Sequence, residues 1–217
     1  MPSVPRKKKS VKRTAAGSTG RDRIVAATLD LIVRNGGCRG VNLRQIAARA
    51  RCAHTNAYNY FDSLEDLFWA ALHQALELQF SATEKALAAP AAQRQPLRTL
   101  LENHVVFAQR NPGLYRLFWF EPLAGKPPAA VLQRFDQLRQ IWVRLLGERL
   151  KALRSKTDPT WAGHIVHGYL HGEVSKLIGR HALVPQSADD RARIVDNTLA
   201  LVDLVAAAGP KPRPRKA

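Results

Sequence analysis

Residues 42–61 read Asn42-Leu43-Arg44-Gln45-Ile46-Ala47-Ala48-Arg49-Ala50-Arg51-Cys52-Ala53-His54-Thr55-Asn56-Ala57-Tyr58-Asn59-Tyr60-Phe61. Asn42 can cap a helix while Gln45, three residues on, returns the bond in a capping box. Ile46, Ala47 and Ala50 give that short helix one inward face. A second short helix is expected from about Ala53 to Tyr60. With Cys52 and Ala57 turned inward, the outward positions are Arg44, His54, Thr55, Asn56, Tyr58 and Asn59. Two short helices joined by a tight turn, the second polar and aromatic on its outer face, describe a helix-turn-helix reader of DNA.

The residue types fit that chemistry. An asparagine amide donates and accepts at once against adenine N6 and N7, and one such bidentate contact is worth roughly 1–3 kcal/mol of discrimination. Asn56 and Asn59 are therefore the first candidates, with His54, Thr55 and Arg44 as further base-edge groups. Tyr58 and Tyr60 suit phosphate oxygens better, because a rigid ring delivers one hydroxyl at fixed reach.

Outward from this stretch the punctuation gives helices and no convincing period-two strand. A helix from about Thr19 to Asn35 buries Ile24, Ala27, Thr28, Leu31 and Ile32 and stops at Gly36-Gly37. Asp62-Ser63-Leu64-Glu65 opens a long helix to about Ala88, with Leu67, Phe68, Ala71, Leu72, Ala75 and Leu78 inward. Further helices are expected near 96–110, 112–120, 128–154, 159–180 and 188–208, started by Asn111-Pro112, Asp158-Pro159 and Ser187. The fold class is thus all-α with about nine helices. The expected division is a disordered basic arm over 1–18, a helix-turn-helix domain over 19–62, a helical ligand-binding and dimerisation domain over 63–208, and a basic tail over 209–217.

A net charge of +17 on 217 residues points to a polyanionic partner, nucleic acid before an anionic membrane. The run Lys7-Lys8-Lys9 in the N-terminal arm and Lys211, Arg213, Arg215 and Lys216 near the other end read as nonspecific affinity. No apolar run reaches the roughly 18 residues of a membrane span, and no signal-peptide apolar region follows the basic start, so a cytoplasmic protein is expected. Cys38 and Cys52 lack metal-ligand spacing and read as small core hydrophobes in a reducing compartment.

The head resembles the tetracycline-repressor-like (TetR/AcrR) family of transcription regulators. Arg23-Ile24, Ala27, Leu29, Ile32, Gly37, Val41, Leu43, Ile46-Ala47, Ala50, Tyr58, Tyr60-Phe61, Ser63, Glu65 and Leu67 carry the likeness in type and spacing. The resemblance implies an all-helical homodimer whose first three helices bind a palindromic operator and whose variable C-terminal domain holds an inducer. It also implies a base contact for Arg44 and phosphate contacts for Tyr58 and Tyr60. Arg51 stands where the family's turn glycine is usual, Ala53 where Ser or Thr caps, Leu64 where lysine is common, and Cys38 where an aromatic is common.

In the C-terminal half, Gly168, Gly172, Ser175 and Gly179 form one stripe with Trp161 and Ile165. Interior glycine costs about 1 kcal/mol relative to alanine, so the stripe suggests close approach of another helix. With the helix near 188–208 it would build a four-helix dimer interface. His167 and His171 have a spacing a metal can bridge, but no cysteine or carboxylate joins them, and no metal is assigned. His104, Phe107, Phe118, Trp119, Trp142 and His167 are the candidate inducer-binding residues among a larger aromatic set with Tyr115, Phe120 and Phe135, and Glu102 is a second polar candidate. No nucleophile–base–orienter set or phosphate loop is present, so neither enzyme nor cofactor chemistry is expected. The leading reading is a repressor released from its operator by a small molecule; the alternative is a sequence-tolerant, nucleoid-like DNA binder.

Overall fold

The structure, a computed structural model, describes residues 19–179 and 187–209. The basic arm at 1–18 and the tail beyond Gly209 lie outside the described residues. Among the described residues there are eight α-helices, two 3-10 helices and no strand. The α-helices are α1 (Gly20–Asn35), α2 (Leu43–Arg49), α3 (Leu64–Ala88), α4 (Pro96–Arg110), α5 (Pro112–Trp119), α6 (Ala129–Ala152), α7 (Pro159–Gly179) and α8 (Asp190–Ala208). The 3-10 helices cover His54–Asn59 and Pro90–Arg94.

Local chemistry explains the starts and stops. Thr19 and Asp22 form a reciprocal capping box on α1, and Asn42 and Gln45 form one on α2 at 3.0–3.1 Å. Ser63 Oγ accepts from the Asp66 amide at 3.0 Å to start α3. α1 ends at Gly36 with φ +70°, the Gly37 amide reaching back to Ile32 O. α2 ends in the same way but places Arg51 in the left-handed position, at φ +53°. The Cys52 amide bonds to Ala47 O and the Arg51 amide to Ala48 O, the pairing that defines a Schellman stop.

Two expectations are corrected. Leu78 does not face the core: it is 49% exposed. The buried face of α3 instead continues through Leu72, Leu76 and Thr83, and two residues on from Leu76 is more than half a turn round the helix. Asn111 does not cap α5; its amide donates to Phe107 O at 3.1 Å and closes α4 instead.

α1 packs across α2, α3 and α5. One hydrophobic cluster joins Ile24, Ile32, Ile46, Ala57 and Phe61 of the head to Leu67, Leu72, Leu114 and Leu117 of the body. A second cluster fills the space between α4, α6, α7 and α8 around Leu101, Val105, Leu146, Val166, Leu170 and Val202, all fully buried. The head is therefore keyed into the body by apolar burial, the dominant favourable term in such contacts.

Candidate nucleic-acid interface and body cavity

The short helix expected from about Ala53 to Tyr60 is a 3-10 helix over His54–Asn59. Ala53 supplies no side-chain cap, and the six residues close through Asn56 amide to Ala53 O and Tyr60 amide to Ala57 O. Three residues per turn eclipse side chains at i and i+3. Asn56 and Asn59 consequently share one line of the helix, and Thr55 and Tyr58 share another.

Ala57, 1% exposed, is the anchor of this segment on the head's core. Thr55, Asn56 and Asn59 are exposed, as is Arg44 on α2. Tyr58 is 58% exposed and Tyr60 41%. Of His54 only the backbone is described. Tyr60 runs back to the start of α1, where its hydroxyl would lie 2.5 Å from a Cβ placed on Gly20. The Arg21 guanidinium sits 5.2 Å from the centroid of the Phe61 ring, beside the same helix start. Arg49 donates from Nε to Asp30 Oδ2 at 2.7 Å and ties α2 to α1, while Arg34 takes the same carboxylate at 2.9 Å. These bonds hold the Asp30 carboxyl below its ordinary range, the Arg49 bond most strongly. Arg23, Arg39, Arg44 and Arg51 remain exposed around the head.

The body contains a cavity of about 350 Å³ between α3, α4, α5, α6 and α7. Of the residues the sequence proposed for a ligand, His104, Phe118, Trp119, Trp142 and His167 lie on its wall. Phe107 does not: it is 7% exposed, packs in the head-proximal cluster, and stacks on Phe118 with ring centroids 6.1 Å apart. Glu102 also lies elsewhere, exposed and 3.6 Å from Arg98. His164, which the sequence offered with His167 and His171 as a neutral group lining a pocket or the interface, is also on the wall, whereas reasoning from the sequence missed its polar residues Gln79, Arg139 and Thr160. Gln79 carried a usable signal, a polar residue set on the stripe Leu72, Leu76, Thr83.

His104 is the polar centre of the wall. It is 4% exposed, and its ring meets Trp142 edge-on at 5.4 Å, Tyr115 at 5.7 Å and His167 at 6.0 Å. Burial, with small additions from His167 and His171, pushes its pKa down to about 3. Burial likewise lowers His167 to about 4, helped by His171 and His164. Both rings are neutral at physiological pH. Tyr115, fully buried, shares a hydrogen bond of 2.8 Å with His171 Nδ1, and burial raises its phenol. Among the described residues no group of three or more His, Cys, Asp or Glu is placed to hold a metal ion. Cys38 is buried, which with the nearby Glu121 pushes its thiol up to about 12.

The stripe on α7 is open. Nothing lies within 4 Å of a Cβ built on Gly168, Gly172 or Gly179. Leu204 on α8 is 67% exposed. No described helix is long and apolar enough to cross a membrane.

The described residues thus form a helix-turn-helix head keyed onto an all-helical body that holds a cavity. The chain's fold is similar to that of solved TetR/AcrR-family proteins. It matches a transcriptional regulator of that family from Thermobifida fusca with a TM-score of 0.59 at 21% identity, over 84% of this chain and 96% of the other. In sequence it is 35% identical over 119 residues to the HTH-type transcriptional regulator RutR of Escherichia coli K12. That stretch is 54% of either protein, so the chain spans about half the length of this relative. It is also 26% identical over 180 residues to the nucleoid occlusion factor SlmA of Marinobacter nauticus, covering 79% of this chain and 91% of that protein. No protein-family model matches the chain. The Thermobifida fusca and Escherichia coli proteins are both described as transcriptional regulators.

Proposed function

We propose that the chain is a dimeric, sequence-specific transcriptional regulator, a repressor that leaves a palindromic operator when a small molecule fills the body cavity. Residues 19–62 are the DNA-binding head and 63–208 the ligand-binding and dimerisation body. Asn56 and Asn59 read bases with Thr55, His54 and Arg44 beside them, and Tyr58 and Tyr60 hold phosphates. His104, Phe118, Trp119, Trp142 and His167 form the ligand site. α7 and α8 pair with those of a second copy, a reading supported by the open glycine stripe and the exposed Leu204.

The observation that carries the reading is that α5 serves both ends. Its C-terminal residues Phe118 and Trp119 lie on the cavity wall. Its N-terminal turn lies on the end of α1, with Gly113 against Ile32 O and Gly36, and Arg116 of the next turn donates from Nη1 to Gly36 O at 2.8 Å. A ligand that moves Phe118 or Trp119 thereby biases the head, which is the coupling free energy that regulation requires. The test is selection of bound duplexes from a random pool, followed by release with candidate ligands. A palindromic consensus is expected, with a separation that fits two heads on one face of the duplex. A pool that returns no consensus, with affinity falling steeply in salt, would support the second reading of a sequence-tolerant binder. The similarity to the nucleoid occlusion factor SlmA is the observation that favours that reading.

A further inference from the structure

The excess positive charge of the body gathers at one corner. Residues 149–157 and 204–217 together hold eight Lys and Arg and no Asp or Glu, whereas residues 19–148 and 158–203 hold 20 against 17. The fold brings those two basic segments together. Ser155 Oγ donates to Ala206 O at 2.8 Å and Thr157 Oγ1 to Gly209 O at 2.9 Å. The chain that continues into Lys211, Arg213, Arg215 and Lys216 therefore leaves from beside the end of α6. Lys151, Arg154 and Lys156 are exposed there. The acids around them are taken: Asp203 by Arg149 at 2.7 Å, Glu148 by Arg144 at 2.9 Å, and Asp158 Oδ1 by the Trp161 amide at 2.7 Å. Exposed Arg94 adds a cation across a groove that Arg149 and Ala152 also line.

This corner lies away from the head. Val131 and Leu138 of α6 belong to the cluster that joins head and body, whereas Leu150 belongs to a third cluster with Ala162 and Val205. At 1.5 Å per residue, Val131 and Leu150 stand about 28 Å apart along the helix. A duplex read by His54–Asn59 leaves the corner uncovered.

We infer that the corner is a second nucleic-acid surface, which holds the phosphate backbone of another segment of double-stranded DNA while the head holds the first. Cations without carboxylate partners release counterions from a duplex whatever its sequence. Alone, such contacts bind at about 10⁻⁴–10⁻⁶ M at physiological salt. Anchored by the head, the corner meets neighbouring DNA at a high effective concentration, and weak contacts suffice. An anionic membrane is the rival partner. Proteins that lie on a membrane sink a broad apolar helix face beside their cations. Among the described residues of this corner the exposed large apolar side chains are Leu153 and Leu204, which sit on separate helix ends. The inference goes beyond operator release and rests on the head binding DNA.

The experiment immobilises a duplex carrying the consensus selected from a random pool, saturates it with the full chain, and measures the labelled random duplex that the complex retains. Wild type is expected to retain it. One variant carries Lys151→Gln, Arg154→Gln and Lys156→Gln, the other Lys211→Gln, Arg213→Gln, Arg215→Gln and Lys216→Gln. Each should retain at least threefold less, and the two sets combined at least tenfold less, with affinity for the immobilised duplex and its salt slope unchanged. Melting curves check that the variants fold; should the first set fail, its three substitutions are read singly. A wild type that retains no second duplex, or full retention by the first or the combined variant, would overturn the inference. So would loss, in the first variant, of flotation with phosphatidylglycerol vesicles but not of duplex retention, which assigns the corner to a membrane. Failure of the immobilised duplex to capture the chain counts against the head and is seen before the second duplex is added. Direct titration with random duplex then tests the corner, with the combined variant expected to bind at least threefold more weakly and equal binding overturning the inference.

Discussion

Arg116 Nη1 lies 2.8 Å from the carbonyl oxygen of Gly36, so a cation on α5 closes the last turn of α1. Around this bond the two helices are fitted closely. A Cβ on Gly113 would collide with the Ile32 carbonyl and would sit 3.2 Å from Gly36 Cα. Glu121 Oε1 accepts from the Cys38 amide at 3.1 Å, which fixes the strand of chain leaving α1 from the same side.

Gly113→Ala should therefore separate α5 from α1. The obstruction is backbone and cannot rotate away, and overpacking of this kind costs about 1–3 kcal/mol. Arg116→Met keeps much of the aliphatic stem and removes a charge-assisted bond, for a loss nearer the lower end of about 1.5–3 kcal/mol because Arg116 is only half-buried. Urea denaturation would check both. If both midpoints stayed at the wild-type value, the junction would not be structurally important.

Arg51 and Arg154 make a matched pair for a stability test. Each occupies the left-handed position of a helix stop, at φ +53° and +56°, where a Cβ is unfavourable. Arg154 follows α6, with Ser155 amide to Leu150 O and Arg154 amide to Lys151 O. Replacing either with glycine should stabilise the chain by up to about 1 kcal/mol. Arg51→Gly should also flatten the salt dependence of DNA binding if its charge meets phosphate, whereas Arg154→Gly should not. Thermal melts and a salt titration separate the two effects.

The sequence announced helix ends well because their chemistry is local. Capping boxes at Thr19-Asp22 and Asn42-Gln45, and prolines at the first positions of α4, α5 and α7, depend on residues three or fewer apart. Side-chain destinations were less legible. Leu78 and Leu76 differ by half a turn, and which one is buried depends on where α4 and α6 cross α3. Phe107 and His104 lie on the same helix three residues apart, yet one belongs to the head-proximal core and the other to the cavity wall. Composition treats them as one aromatic cluster. The 3-10 geometry of His54–Asn59 was hidden for a related reason: six residues with one buried anchor follow the packing of their neighbours more than any propensity of their own.

Acid should destabilise the body before it disturbs the exposed head. Unfolded histidine titrates near 6.5, while His104 stays neutral down to about 3 and His167 down to about 4. Between these values the unfolded state binds more protons, so stability rises with pH and is lost as pH falls from about 6.5. The full contribution is present above 6.5, and below it His104 alone removes up to about 1.4 kcal/mol per pH unit until about pH 3. Denaturation midpoints measured between pH 7.5 and 4.5 should fall with this slope. His104→Phe should flatten the curve, and an unchanged slope would show that His104 does not titrate in this way.

Asn56 and Asn59 share one line of a 3-10 turn and should act as a pair on neighbouring bases. Asn56→Ala is expected to weaken a selected operator by roughly 1–3 kcal/mol, about the worth of one bidentate base contact, while nonspecific binding is spared. Both side chains are exposed, so neither substitution should alter the melting temperature beyond about 0.5 kcal/mol equivalent. The double substitution should cost less or more than the sum of the single ones, because groups on one eclipsed line share a site and contacts of that kind couple. Tyr58→Phe differs in kind. It removes a hydroxyl suited to phosphate and should lower affinity on operator and random duplex alike. Equal losses on both duplexes for Asn56→Ala as well would move that asparagine from base reading to the backbone.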